Sequence, residues 1–240
     1  MDNYLNDITD VDAEYKVVLA GDSTIGKTTL FKKITKGVFN DLYVSTIGFD
    51  KRSFDYEITV QENGQDSKKN IKMILYDTAG QERFASVTKA YFKKANGVLL
   101  LYSIIDRKTF DHLGRWLNDV KDKLGNIEDN RYLVFLMGTK FDLVKEDETM
   151  RQVKEEEALD FCEKNNILWY GEYSSKETDQ ETFQKLFAEF AKKIYEKVGF
   201  NKMERETVST LSSKKTKKDK TTVIRYPLTS FLLNKRYAVK

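Results

Sequence analysis

Eight residues, Gly21-Asp22-Ser23-Thr24-Ile25-Gly26-Lys27-Thr28, carry the spacing GxxxxGK[ST]. They follow an alternating apolar run, Tyr15 to Ala20, and open an amphipathic segment, Thr29 to Thr35. In a strand, glycine loop and helix, successive backbone N–H groups form an anion nest, and the helix adds its positive end. Lys27 brings a point charge to β and γ phosphates. The Thr28 hydroxyl suits Mg²⁺, a hard ion that prefers oxygen. The competing reading is a chance glycine-rich turn, against which the complete spacing in this setting counts.

Two further clusters follow buried runs. Asp77 ends the run IKMILYD and opens DTAGQERF, a position suited to holding Mg²⁺ behind the phosphates. Gly80 has no side chain, so its N–H can approach a γ-phosphate, and Gln81 can orient a water for in-line attack. After the run Tyr132–Met137 come Gly138-Thr139-Lys140-Phe141-Asp142. Guanine presents N1–H and its 2-amino group side by side, and one carboxylate accepts from both. Adenine would leave a buried Asp142 without partners, a costly loss and hence a strong discriminator. Lys140 can lay its stem over the base.

The elements that must hold these groups alternate. Strands are expected at Tyr15–Ala20, 51–60, 71–77, Gly97–Ser103, Tyr132–Met137 and Ile167–Tyr170. Helices are expected to about Lys36 and at Phe84–Lys94, 107–124, 149–165 and 179–198. Residues 51–60 and 71–77 would form an antiparallel hairpin with a long polar tip, 61–70, signalled by Asn63-Gly64. Elsewhere the alternation argues a mostly parallel sheet covered on both faces. Ligands of such sheets sit outside the carboxyl ends of the strands. The phosphate loop, Asp77, Thr139–Asp142 and Ser174–Lys176 all fall at such ends, so one pocket can collect them.

These motifs, in this order, resemble a small GTPase of the Ras superfamily and most of all its Rab branch. The resemblance covers about residues 14–198 and rests on GDSTIGKT, STIGFD, YDTAGQERF, YFKKANGVLLLY, GTKFDL and EYSSK. It implies an α/β fold of the P-loop NTPase type. This is a three-layer G domain with a six-stranded, mostly parallel sheet, one antiparallel hairpin strand and helices on both faces.

By the same resemblance, residues 21–28 with Thr29, Tyr43 and Gly80 bind the phosphates of GTP. Phe39, Thr139, Lys140, Asp142, Ser174, Ser175 and Lys176 surround guanine. Thr28, Thr46 and Asp77 serve Mg²⁺, and Lys27 and Gln81 are catalytic. Residues 39–50 and 77–94 would be switches for effectors, exchange factors and activating proteins. With no arginine finger in cis, intrinsic hydrolysis should be slow. Some positions depart from the pattern. Thr24 stands where Gly or Ala is usual, Thr139 replaces an Asn, Tyr76 a Trp and Lys51 a Phe. No cysteine follows Cys162, so the usual prenyl anchor is not expected here. A hydrolysis-deficient scaffold on the same fold is the alternative to a cycling switch, and vesicle trafficking follows from the resemblance alone.

Composition bounds the rest. From Gly199 onward there are 11 Lys/Arg against 3 Asp/Glu, while the totals of 41 and 38 leave residues 1–198 mildly acidic. Three parts are expected: an acidic flexible lead (1–14), the GTPase domain (15–198) and a basic, largely disordered tail (199–240). The tail is either simply solvated or a contact for an anionic membrane, where it would be weak, or for a nuclear import receptor. Nucleic acid is disfavoured because no aromatics interleave its lysines. The stretch around Pro227 is either a strand or a docking segment. One cysteine excludes a disulfide framework, and no run approaches the roughly 18 apolar residues of a membrane span. A monomeric cytoplasmic protein, peripheral to endomembranes at most, is expected. His112 reads as a surface histidine, and Trp116 and Trp169 as packing residues.

Overall fold

The computed structural model describes residues 11–39, 49–62, 64–78, 91–127, 131–198 and 222–223. Tyr43, Thr46, Gly80, Gln81, residues 84–90 of the expected second helix and nearly all of the tail lie outside these residues. So does the lead up to residue 10.

β1 (Ala13–Ala20) is buried on both faces, with Tyr15, Val17 and Leu19 on one side and Val18 and Ala20 on the other. It begins two residues earlier than expected. The Asp12 N–H donates to the Asn70 carbonyl at 2.9 Å, and the Asp12 carboxylate accepts from the Asn70 N–H at 2.7 Å. The end of the acidic lead is therefore part of the sheet.

β2 (Phe49–Glu62) and β3 (Gln65–Thr78) pair without interruption from Phe49↔Thr78 to Glu62↔Gln65. This corrects the expected polar tip, because residues 61–62 and 65–70 are strand rather than loop. β2 ends at Glu62 and β3 begins at Gln65, and Gly64 before it stands at φ +79°, a conformation glycine adopts without strain. The polar residues support the ladder through cross-strand pairs. Lys68 meets Glu57 at 2.8 Å, Lys69 meets Glu62 at 2.8 Å, and Gln61 donates to Asp66. Polarity here marks a solvated ribbon, not a break in it.

β4 (Gly97–Ser103), β5 (Leu133–Thr139) and β6 (Leu168–Tyr173) complete the expected six strands, and β6 runs three residues beyond its expected end. A two-residue β7 (Thr222–Val223) from the tail pairs parallel with Phe54 and Asp55 of β2. The order is β6-β5-β4-β1-β3-β2-β7, parallel except for β2 against β3. The chain leaves β1 for β3 on one side and returns to β4 on the other. That reversal opens a crevice at the carboxyl ends beside β1.

Helices cover both faces. α1 (Lys27–Lys36) and α6 (Gln180–Val198) bury Leu30, Phe31, Ile34, Phe183, Phe187, Phe190 and Ile194 on one face. Phe190 stacks on Phe135 at 3.7 Å between centroids and meets Tyr170 edge-on at 5.6 Å. On the other face lie α2 (Arg107–Asp111), α3 (Leu113–Leu124) and, after the short α4 (Phe141–Glu146), α5 (Glu155–Asn165).

Two expected helices are corrected. The single helix 107–124 is broken at His112, whose N–H reaches back to Lys108 and Phe110 and whose ψ is −9°. Gly114, a weak helix former, lies two residues further on. The helix expected from 149 begins instead at Glu155. Asp147 caps a separate 3₁₀ turn, Glu148–Met150, and Arg151 is drawn off by Glu172. Cys162 is buried in α5, and burial pushes its thiol up to about 12, so it acts as a small hydrophobe. Among the described residues no helix is long and apolar enough to cross a membrane.

Candidate nucleotide-binding site

The register aligns the strand ends that carry the motifs. Ser103 lies level with Thr139, and Thr139 with Tyr173, while Val18 lies level with Tyr76. The loop after β1, Asp77 on β3, the turn after β5 and the turn after β6 therefore share one edge of the sheet.

The loop between β1 and α1 needs two glycines for distinct reasons. Gly21, at φ +134°, sits so close to β4 that a Cβ would lie 2.3 Å from the Leu101 carbonyl oxygen. Gly26 caps α1 at φ +101°. Between them Thr24 adopts φ +64°, strained for a β-branched residue, with its side chain exposed. Lys27 is buried, and its Nζ donates to the carbonyls of Gly21 at 2.8 Å and Asp22 at 2.5 Å. The ammonium is thus held inside the loop whose N–H groups would cradle phosphate. Ser23, Thr28 and Thr29 are half-buried along it, and Ile25 is buried.

Asp77 is buried at 1 % exposure, and neither carboxylate oxygen makes a hydrogen bond of good geometry. Burial, aided by Asp50 directly across the hairpin, pushes its carboxyl up to about 6, against the pull of Thr28 and Lys27. The Asp77 carboxylate and the Thr28 hydroxyl beside it are oxygen donors of the kind Mg²⁺ takes. Thr28 and Asp77 would hold the ion, together with oxygens of the phosphates.

Several of these side chains also make structural hydrogen bonds. Asp22, expected among the phosphate-binding residues, has its carboxylate buried beneath α3. It accepts from Trp116 Nε1 at 2.7 Å and His112 Nδ1 at 2.6 Å, with Arg115 at 3.5 Å. Only its backbone is left for the loop. His112 is half-exposed, as expected of a surface histidine, yet pairs with this buried acid, and Trp116 adds a hydrogen bond to its packing. The Thr139 hydroxyl contacts the carbonyls of Ile25 at 2.7 Å and Tyr102 at 2.9 Å, and so braces the phosphate loop from the end of β5. The Ser174 hydroxyl accepts from the N–H groups of Lys176 and Glu177 at 3.1 and 3.0 Å and so shapes its own turn.

Asp142 is buried in the first turn of α4. Lys140 precedes it at φ +67°, with its ammonium disfavoured by burial and supported by Asp106 and Asp142. Ser175 and Phe39 are half-buried, and Lys176 is exposed. Lys145–Glu177 and Lys176–Glu146, at 3.0 and 3.8 Å, tie α4 to the turn after β6.

Sequence reasoning also missed Arg151 and Glu172. Their bidentate pair, 2.8 Å in both arms, anchors the end of β6. Nothing in the local pattern marks it. The spacing of His112, Arg115 and Trp116, three donors one turn apart, is the one signal that could have pointed to a buried acid, and it went unread.

A phosphate loop with an internal lysine, a buried acid for a metal ion and a carboxylate beyond β5, on this sheet order, define a P-loop nucleotide-binding protein. The sequence model of the Ras family matches residues 16–196. Human Ras-related protein Rab-30 is 35 % identical over 182 residues, covering 76 % of this chain and 80 % of its own. The GTP-binding protein ypt3 of Schizosaccharomyces pombe is 36 % identical over 177 residues, 73 % of this chain and 75 % of its own. Ras-related protein RABA4c of Arabidopsis thaliana is 35 % identical over 159 residues, 66 % and 64 %. The chain belongs to the Ras family of small GTPases and is most like the Rab branch.

Proposed function

We propose that the chain is a GTP-hydrolysing molecular switch of the Rab type acting in vesicle traffic. The observation that supports it most directly is the gathering of Lys27, Asp77 and Asp142, all buried, at one edge of the sheet. Lys27 and the loop N–H groups stabilise charge on the phosphates. Asp142 accepts from the two donors of guanine, with Lys140 alongside and Phe39, Ser175 and Lys176 at the rim. Thr28 and Asp77 would hold Mg²⁺, which would add charge stabilisation at the phosphate oxygens. By the family resemblance Thr46 completes the metal site, Tyr43 and Gly80 lie at the phosphates, and Gln81 orients the attacking water. By the family resemblance no residue of this chain matches an arginine finger, and on that reading hydrolysis without a partner is slow. Effectors, exchange factors and activating proteins read residues 39–50 and 77–94. The basic tail adds at most a salt-sensitive attraction to anionic membrane.

The test is nucleotide content and single-turnover hydrolysis of the purified full chain, with Lys27→Ala and Asp142→Ala as controls. Bound GDP, slow Mg²⁺-dependent loss of added GTP and dependence on Lys27 are expected. Asp142→Ala should abolish the preference for guanine over adenine nucleotides. GTP that persists for hours on wild-type protein would instead mark a scaffold that does not cycle.

A further inference from the structure

The phosphate loop is pinned at two points by elements distant in the chain. Its far side is held where the Thr139 hydroxyl meets the Ile25 carbonyl. Its near side is held by Asp22, whose carboxylate is 7 % exposed and bonded to one helical face of α3 and its preceding residue. The same residue's carbonyl accepts from Lys27 Nζ at 2.5 Å. One residue therefore joins the α3 face to the lysine of the loop. Between the two pins lies Thr24 at φ +64°, a strained backbone that persists only where its surroundings over-determine it.

We propose that His112 and Trp116 are positioning residues for the phosphate loop: by holding the Asp22 carboxylate they set how slowly bound nucleotide is released. The proposal rests on the nucleotide-binding reading above. Neither residue lies in the loop, and the side-chain hydrogen bond that each makes among the described residues goes to Asp22, through which each acts. Trp116, itself buried, supplies a neutral donor, and His112 supplies a donor from a half-exposed position. Arg115, half-exposed and 3.5 Å away, adds charge at longer range. A buried carboxylate that loses one such donor is left under-satisfied. The loop can then relieve the penalty by shifting away from the geometry in which its N–H groups converge.

The experiment measures release and association of fluorescent GDP with Mg²⁺ on the full chain, alongside thermal midpoints. Trp116→Phe, which keeps the ring and loses the donor, and His112→Ala should each speed release about tenfold. Association rates should be nearly unchanged. His112→Asn, which restores a donor, should return release toward the wild-type rate. Asp22→Ala should speed release at least as much, and adding Trp116→Phe to it should change nothing further. Wild-type retention with unaltered release in both single variants would overturn the anchor while sparing the nucleotide reading. Additive effects of Asp22→Ala and Trp116→Phe would also overturn it, since Trp116 would then act by another route. A wild-type chain that holds no guanine nucleotide would overturn both.

Discussion

Arg151 is the place where one substitution should damage the fold most for the least change in volume. Its side chain is 17 % exposed and that of Glu172 is 7 % exposed. Nη1 and Nη2 each donate to a separate carboxylate oxygen at 2.8 Å, and Nη1 also reaches the Val153 carbonyl at 3.1 Å. The pair holds the guanidinium well above its already high range, through the Glu172 hydrogen bonds first. Arg151→Met keeps the aliphatic stem and removes the charge, leaving the Glu172 carboxylate buried without its counter-ion. Breaking a buried pair from one side costs about 3–5 kcal/mol. That is a large share of a typical total of about 5–15 kcal/mol. For a domain of this size it corresponds to a fall in midpoint of roughly 10 °C. The assay is urea unfolding of Arg151→Met, Glu172→Met and the double variant. Each single change should cost several kcal/mol, and the double change much less than their sum, since replacing both partners removes the stranded charge. Additive losses, or a single-variant loss under about 1 kcal/mol, the range of an exposed pair, would refute this reasoning.

Three other outcomes follow from the same geometry. Asp77→Asn should weaken Mg²⁺-dependent nucleotide binding yet stabilise the nucleotide-free chain at pH 7. A carboxyl raised to about 6 carries a penalty of order 3 kcal/mol when ionised. That penalty fades as pH falls below 6 toward the unfolded value, so nucleotide-free wild type should gain stability from pH 7 to 5 relative to the variant, as read by thermal melts. Thr24→Gly should raise stability by up to about 1 kcal/mol in urea, because relief of the left-handed backbone outweighs glycine's entropy cost. Phe190→Ala should cost about 3–5 kcal/mol, because the ring fills the space between Phe135, Tyr170 and Phe187.

The sheet could be read ahead of the structure because its central strands are continuous apolar runs, as in GVLLLYS, and because each motif falls at a strand end. What escaped was set by contacts between distant segments. The ribbon at 61–70 is polar, so its strand character rests on pairing rather than on burial. Helix 107–124 keeps one apolar face through its break, and only the reach of His112 to Asp22 gives that break a purpose. The role of Asp22 escaped for the same reason: a small acid in a phosphate loop reads as a local loop residue until α3 is folded over it. Thr139 shows the reverse case. Its position in the motif was plain, but its hydroxyl is committed to carbonyls from two other elements.

The uninterrupted pairing of β2 with β3 has a consequence in time. Every rung of that ladder closes outward from Asn63-Gly64, whereas β1 must bring Ala13 to Ile71 and Val17 to Gly97. Hairpins form in about 1–10 μs, while pairings between distant segments wait on the closure of long loops. The ribbon therefore offers an early template, on which β1 docks before β4 can add to its other edge. Gly64→Val, which disfavours the left-handed turn, should slow refolding in stopped-flow experiments and leave the unfolding arm nearly unmoved. On this ordering, the nucleotide site is among the last parts of the domain to assemble, since it needs β1, β3 and β5 in place together.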